Sequence, residues 1–257
     1  MELAGRTVVI TGGSRGIGSK LAVRLGREQA NVVVNYKKNE KAADATVAEV
    51  EAAGGNALAV QADVAEVGDV ERLVVSAVER FGTIDVLVAN AAASAFKPLA
   101  AIHPHHVEKT MGITVNGFLE LVRQGTPHMP RGGRILAVSG WDSFRVLPGH
   151  GLLGAAKAAM EALVKYLAIE LGPAGITAVG LCPGPIDTDS FRTYAGDRWD
   201  WYEKNWLAMT PAGRFPSPEE FADIMAFLCA PASVPINGQT IVADGGLSLA
   251  TMPTAMG

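Results

Sequence analysis

Arg6-Thr-Val-Val-Ile-Thr-Gly-Gly-Ser-Arg-Gly-Ile-Gly18 reads as a short buried strand, a glycine-rich turn and the start of a helix. Thr7, Val8, Val9 and Ile10 make a continuous, largely apolar run, as expected of a parallel strand covered on both faces. Gly12, Gly16 and Gly18 follow at its end. Glycine there permits a tight turn, close approach of backbone N–H groups to a pyrophosphate, and close helix–sheet packing. The spacing, G-x3-G-x-G, differs from the general dinucleotide fingerprint G-x-G-x-x-G. A strand–helix turn without a ligand would also use such glycines. Opening an N-terminal strand–turn–helix unit favours a nucleotide-binding turn.

Outward from this stretch the chain alternates strands and helices. Strands are expected at 31–35, 57–61, 86–89, 134–139, 177–181 and 239–242. Helices are expected at 16–29, 39–53, 66–81, 104–129, 152–171 and 218–230. Strands joined by crossover helices require a parallel, doubly wound α/β sheet. No repeat, linker or low-complexity tract interrupts it, so residues 1–257 are expected to form a single dinucleotide-binding domain.

Composition agrees. Hydrophobic residues make up 49% of the chain, enough for a sizeable core. A net charge of −4 and the lack of a Lys/Arg block argue against nucleic-acid and anionic-membrane partners. Cys182 and Cys229 sit in apolar stretches and read as buried thiols of a reducing compartment. Arg6 interrupts an N-terminus already committed to a strand, so no signal peptide is expected. No apolar run reaches the roughly 18 residues of a membrane span. A cytoplasmic protein is the expectation.

The motifs Thr11-Gly-Gly-Ser-Arg-Gly-Ile-Gly18, Asp63-Val64, Asn90-Ala-Ala92, Asn116, Lys157 and Pro183-Gly-Pro-Ile-Asp-Thr188 together resemble the short-chain dehydrogenase/reductase family over nearly the whole chain. The resemblance implies a seven-stranded Rossmann-type sheet, a nicotinamide cofactor and a homotetramer. It implies cofactor contacts from Gly12, Ser14, Arg15, Gly16, Ile17, Gly18, Tyr36 and Lys37. Asp63 and Val64 would flank the adenine, Asn90 and Ala91 the ribose region. Pro183, Gly184, Ile186 and Thr188 would serve the nicotinamide and pyrophosphate, and Lys157 the ribose hydroxyls. Asp63 alone reads equally well as a helix N-cap. NAD enzymes typically place a carboxylate at the end of the second strand, for the ribose 2′-OH. Here that strand runs into Asn35-Tyr36-Lys37-Lys38, and Arg15 lies in the glycine turn. Cations there suit a 2′-phosphate, so NADP(H) is expected; Lys37 and Lys38 could also be merely solvated.

At the catalytic positions the chain departs from its family. The usual set is Asn, Ser, Tyr and Lys, with Tyr four residues before Lys. Asn116 and Lys157 match, but Leu153 stands at the Tyr position. Gly140 stands at the Ser position, with Ser139 one residue earlier. Leucine exchanges no proton at any pH, which puts ordinary alcohol–ketone chemistry in doubt. The chain is also similar to bacterial type III enoyl-acyl-carrier-protein reductases, which carry Tyr seven residues before Lys. His150 occupies that position. A histidine there can donate a proton near neutral pH, although a loop histidine between Gly149 and Gly151 needs no chemical role.

A substrate lid is expected at about 188–209, where Phe191, Tyr194, Trp199, Trp201, Tyr202 and Trp206 crowd together. With Ser139, Trp141 and Leu153, the aromatic residues Phe191, Tyr194 and Tyr202 are candidates for the substrate pocket, suited to a flat, apolar substrate portion. Half of the lid aromatics should instead pack it onto the body or onto a neighbouring subunit. Tyr194 or Tyr202 could swing in as a replacement acid. His103, His105 and His106 have no acidic or cysteine partner nearby in sequence, and no metal site is expected from them. The expected activity is NADPH-dependent reduction of an activated C=C bond in an apolar, small-molecule or carrier-bound substrate. A ketone or imine reductase with a relocated acid is one alternative. The other is a redox-silent NADP(H)-binding cyclase or scaffold.

Overall fold

The computed structural model describes residues 2–186, 191–192 and 195–253. Seven strands form one parallel sheet in the order β3-β2-β1-β4-β5-β6-β7. They are β1 (Thr7–Ile10), β2 (Asn31–Tyr36), β3 (Asn56–Gln61), β4 (Val86–Ala89), β5 (Arg134–Val138), β6 (Thr177–Pro183) and β7 (Thr240–Ala243). The order reverses between β1 and β4, which pair through Ile10 and Val88 at their carboxyl ends. Ligands of open α/β sheets bind at such a switch point, outside the carboxyl ends.

Helices α1 (Gly16–Gly26), α2 (Glu40–Ala52), α3 (Val67–Phe81), α4 (Pro104–Met111), α5 (Gly117–Gly125), α6 (Gly151–Leu171), α7 (Trp199–Met209) and α8 (Pro218–Cys229) surround the sheet. Local chemistry sets several of their ends. Asn39 caps α2 by accepting from Ala42 N–H, and Ser217 with Glu220 makes a capping box in front of α8. The core divides into two clusters, one on each face of the sheet. Val8, Ile10, Leu21, Leu25, Val34 and Phe221 lie in one, and Val9, Leu73, Leu87, Phe118, Ile135 and Val164 in the other. Both cysteines are buried free thiols, pushed up to about 12 by loss of solvent. No described helix is long and apolar enough to cross a membrane.

Element boundaries shift by a few residues from the sequence reading, with two larger corrections. The segment expected to be irregular before Pro218 contains α7 (Trp199–Met209). The helix expected over 104–129 is broken into α4, a π turn at Gly112–Asn116, α5 and a 3-10 turn at Thr126–His128. Apolar periodicity runs across all four pieces and cannot register one extra residue in a turn. Such π turns gather at functional sites, and Asn116 ends this one.

Candidate active site

The glycine turn is built to bring backbone to a ligand. Gly12 has φ +64° and Gly16 has φ +56°, conformations that side chains resist. A Cβ on Gly18 would run into the Gly12 carbonyl oxygen, so the third glycine lets α1 start directly against the turn. No side chain caps the N-terminus of α1, and its first turn holds no acid. Its free N–H groups and positive dipole end therefore face outward, fitted to an anionic pyrophosphate. Ser14 is half-buried beside them, Ile17 packs against the core, and Arg15 is exposed.

Two buried polar groups that sequence reasoning did not single out hold this turn in place. Asn35 Oδ1 accepts the Gly12 N–H at 3.0 Å, while its Nδ2 donates to the Ala62 carbonyl at 2.9 Å. Thr11 Oγ1 accepts from the backbone N–H groups of Asn90 and Ala91 at 3.0 and 3.1 Å. The Asn90 amide donates to the carbonyls of Thr11 and Gly12. Its side chain thus braces the glycine turn. The Tyr36 ring packs in the core, and its phenol is pushed up by desolvation and by Glu40. Asp63 accepts from the Ala65 N–H and ion-pairs with Lys37. It does not cap α3, whose N-cap residue is Glu66. Val64 is buried beneath Gly117. Pro183 ends β6, Gly184 abuts Asp244, and Ile186 joins the core. Thr188 and Tyr194 lie outside the described residues.

Lys157 lies on α6, buried, with Nζ donating to the Val138 carbonyl at 2.6 Å. Burial lowers its ammonium from 10.5 to about 8, opposed by the negative charges of Asp142 and Glu161. Leu153, one turn earlier, is half-buried. Asn116 is exposed at the end of the π turn, which packs against α6. Ser139 requires a correction. It is 3% exposed, and its hydroxyl donates to Glu161 Oε1 at 2.5 Å; Ser143 donates to the same oxygen at 2.6 Å. A hydroxyl so committed does not line a substrate pocket.

His150 is not the exposed loop residue that flanking glycines suggest. It is 9% exposed, its ring 4.6 Å from that of Phe96, and its Nδ1 lies 3.0 Å from Asp142 Oδ2. Asp142 escaped the sequence reading because no motif places an acid eight residues before a histidine. Beyond it, Trp141 Nε1 donates to Asp244 Oδ2 at 3.2 Å, and its ring lies 5.9 Å from that of Trp206. Phe191 stacks on Trp206 at 5.4 Å, and Tyr202 meets Trp206 edge-on at 5.0 Å. Tyr202 and Trp206 are buried and Trp201 is 60% exposed. Part of the aromatic crowd thus packs α7 onto the body, as expected. Tyr202 is closed into that packing, against its expected place in the pocket and as a mobile acid. His103 and His105 are exposed at the start of α4, where His106 Nδ1 accepts the His103 N–H. The described residues include no metal-binding cluster.

A glycine turn at the switch point of a parallel sheet, outside the carboxyl ends of β1 and β4, is the architecture of a dinucleotide-binding protein, and a buried lysine of α6 stands at the end of β5. A family model described as enoyl-(acyl carrier protein) reductase matches residues 12–248. The chain is 42% identical to 1-cyclohexenylcarbonyl-CoA reductase of Streptomyces collinus, over 95% of this chain and 88% of that one. It is 32% identical to the hydroxynaphthalene reductase-like protein Arp2 of Metarhizium majus, over 95% and 96%. A short-chain dehydrogenase from Burkholderia cenocepacia J2315, solved in complex with NADP, superposes with a TM-score of 0.89 at 32% identity, covering 96% of this chain and all of that one (100%). The chain belongs to the short-chain dehydrogenase/reductase family.

Proposed function

We propose that this protein is an NADPH-dependent reductase of an activated C=C bond, in an enoyl thioester or an enone of fatty-acid-like or secondary metabolism. The observation that carries this reading is Leu153 at the position of the family's proton donor, beside an intact buried Lys157. The named function of the Streptomyces relative, a reductase of an unsaturated CoA thioester, supports it. When bound, NADPH supplies the hydride that adds to the β-carbon. Gly12, Gly16 and Gly18 would hold its pyrophosphate, Arg15 and Lys37 its 2′-phosphate, and Lys157 its nicotinamide ribose. Conjugate reduction demands less of an acid than carbonyl reduction does. The charge that develops on the thioester or enone oxygen is stabilised by the positive field of Lys157, and the α-carbon takes its proton from His150 or from water. The segment 188–209 acts as a lid, with Trp141 and Phe191 as its apolar contacts.

His150 against Asp142 favours a second reading, a ketone or imine reductase with a relocated acid. Consumption of NADPH, followed at 340 nm across paired enoyl and keto substrates, separates the two. Turnover of enoyl substrates alone is expected; turnover of ketones alone would select the second reading. Consumption with neither would leave a redox-silent cyclase or scaffold ahead.

The cofactor preference rests on Arg15, exposed in the turn, and on Lys37, shared with Asp63 at the end of β2. Replacing both by Ala is expected to weaken NADPH binding much more than NADH binding. Equal affinity of the unmodified protein for the two cofactors would sink this assignment. A homotetramer is proposed from apolar side chains left on the surface: Tyr166 and Ile169 of α6 are 67% and 79% exposed, and Val107 and Leu119 of α4 and α5 are 40% each. Light scattering is expected to give about four times the 26.8 kDa chain mass. A monomer at micromolar concentration would refute it.

A further inference from the structure

Asp142 sits in the 3-10 turn Trp141–Ser143 that follows β5, between the positions where family members carry Ser and Tyr. Its side chain is 6% exposed and that of His150 10%, so neither group of this pair is a solvated surface residue. An enclosed carboxylate is costly unless it is bonded or paired, and His150 Nδ1 at 3.0 Å is its bonded neighbour. Two glycines make room for it. A Cβ on Gly140 would lie 2.5 Å from Asp142 Oδ1, and a Cβ on Gly154 would run into the Asp142 backbone carbonyl. Asp142 thus fills the space into which a serine at position 140 would project. His150 stands at the N-cap of α6 but makes no side-chain cap bond. Its ring is turned to Asp142 instead, with Phe96 against it.

We propose that Asp142 is the positioning residue for His150, and that this pair has taken over the space and the proton-handling role vacated at Gly140 and Leu153. The proposal rests on the reductase reading above. Asp142 accepts the Nδ1–H bond, and Nε2, itself enclosed, is then the ring atom where the proton is gained and lost. With a reduced nicotinamide bound as the two-electron donor, the β-carbon would receive hydride. The C=C π pair then moves to the α-carbon. The Nε2–H bond of the imidazolium breaks, its electron pair stays on Nε2, and the proton forms the new α-C–H bond. Asp142 stabilises the imidazolium beforehand and keeps the neutral ring in its Nδ1–H form afterwards, until solvent returns the proton. Two other charged groups lie near the pair, and one of them, Lys157, is supported by the charge of Asp142. Lys157 Nζ points at the Val138 carbonyl, and Glu161 accepts from Ser139 and Ser143.

The test has a cofactor-free arm and a kinetic arm. In 15N-labelled protein without cofactor, the imidazole nitrogens of His150 are assigned by their loss in His150→Gln. Neutral His150 is expected as the Nδ1–H tautomer. Asp142→Asn, whose amide can donate to Nδ1, is expected to shift it to Nε2–H. An Nε2–H tautomer in the unmodified protein, or no change in Asp142→Asn, overturns the positioning role. In the kinetic arm, with crotonyl-CoA and NADPH, His150→Gln and Asp142→Asn should each lower kcat by about 10²–10⁴-fold with KM nearly unchanged. The double variant should be no slower than His150→Gln, because the pair acts as a unit. Full turnover in both single variants overturns the proton-handling role and leaves the reductase reading standing. If the unmodified enzyme reduces no enoyl probe, the reductase reading falls and the proton-handling role with it, while the tautomer still decides Asp142. Should Asp142→Asn fail to fold, Gly140→Ala, which presses a methyl group against Oδ1, is expected to loosen the Nδ1–H tautomer and lower kcat by a smaller factor. An unaffected Gly140→Ala would count against the pair.

Discussion

Replacing Lys157 by Ala is expected to lower turnover by at least about a hundredfold. The ammonium of this α6 residue is enclosed at the end of β5, 2.6 Å from the Val138 carbonyl. Its loss removes the positive charge nearest a developing oxyanion and loosens the geometry in which the nicotinamide ribose is held. The same burial gives the wild-type enzyme a testable pH dependence. A lysine lowered to about 8 keeps its charge below that pH and loses it above. The profile of kcat/KM reports the free enzyme, so with NADPH as the varied substrate it should fall as pH rises through about 8. Asp142 and Glu161 hold the ammonium up against desolvation, so removing the Asp142 charge should move this limb to lower pH. A Lys157→Ala variant with full reductase activity would overturn the catalytic assignment and leave a structural role for the cofactor ahead.

The second large effect is expected on stability, at Arg134. This side chain is 1% exposed, and among the described residues no carboxylate is paired with it. Its guanidinium donates instead to the carbonyls of Leu228, Ser233 (2.8 Å) and Ile236 (3.2 Å), and to Thr177 Oγ1 at 2.8 Å. Leu228 lies in the last turn of α8, a turn with no basic residue of its own. A cation from β5 therefore serves the negative end of that helix and binds the chain that leads from it towards β7. Burial pushes the guanidinium down to about 10, still far above neutral pH, so the charge persists. Arg134→Ala opens a cavity and strands several buried carbonyls. Urea unfolding should show a loss of at least about 3 kcal/mol, since hydrogen bonds to a charged donor contribute about 1.5–3 each. Arg134→Met fills the volume but leaves the carbonyls unpaired, and should recover only part of the loss. A loss below about 1 kcal/mol for Arg134→Ala would mean that those carbonyls find other partners.

How much was legible in advance differs between fold and site. The seven strands, their parallel pairing and the cofactor edge follow from local signals that a linear chain carries openly. Runs such as Val32-Val-Val34 and Val86-Leu-Val88 are buried on both faces, and the glycine spacing after β1 needs no distant partner to be recognised. Asn116 and Lys157 could be matched to family positions because each sits in a short local motif. Solvent exposure and side-chain pairing were not. Ser139 looked like a pocket residue, yet Glu161, 22 residues away, takes its hydroxyl. His150 looked like a surface loop residue between two glycines, until Asp142 and Phe96 closed on it. Arg134 was simply the first residue of a strand, and its carbonyl partners lie 94 to 102 residues further on. The sequence alone therefore determined the class of fold, the dinucleotide edge and the absence of the family's tyrosine, because periodicity and glycine geometry act within a few residues. Only the tertiary structure decided which polar groups are enclosed and with whom. Enclosure depends on elements that meet across the sheet, and a buried polar group is tolerable only where that meeting supplies its partner.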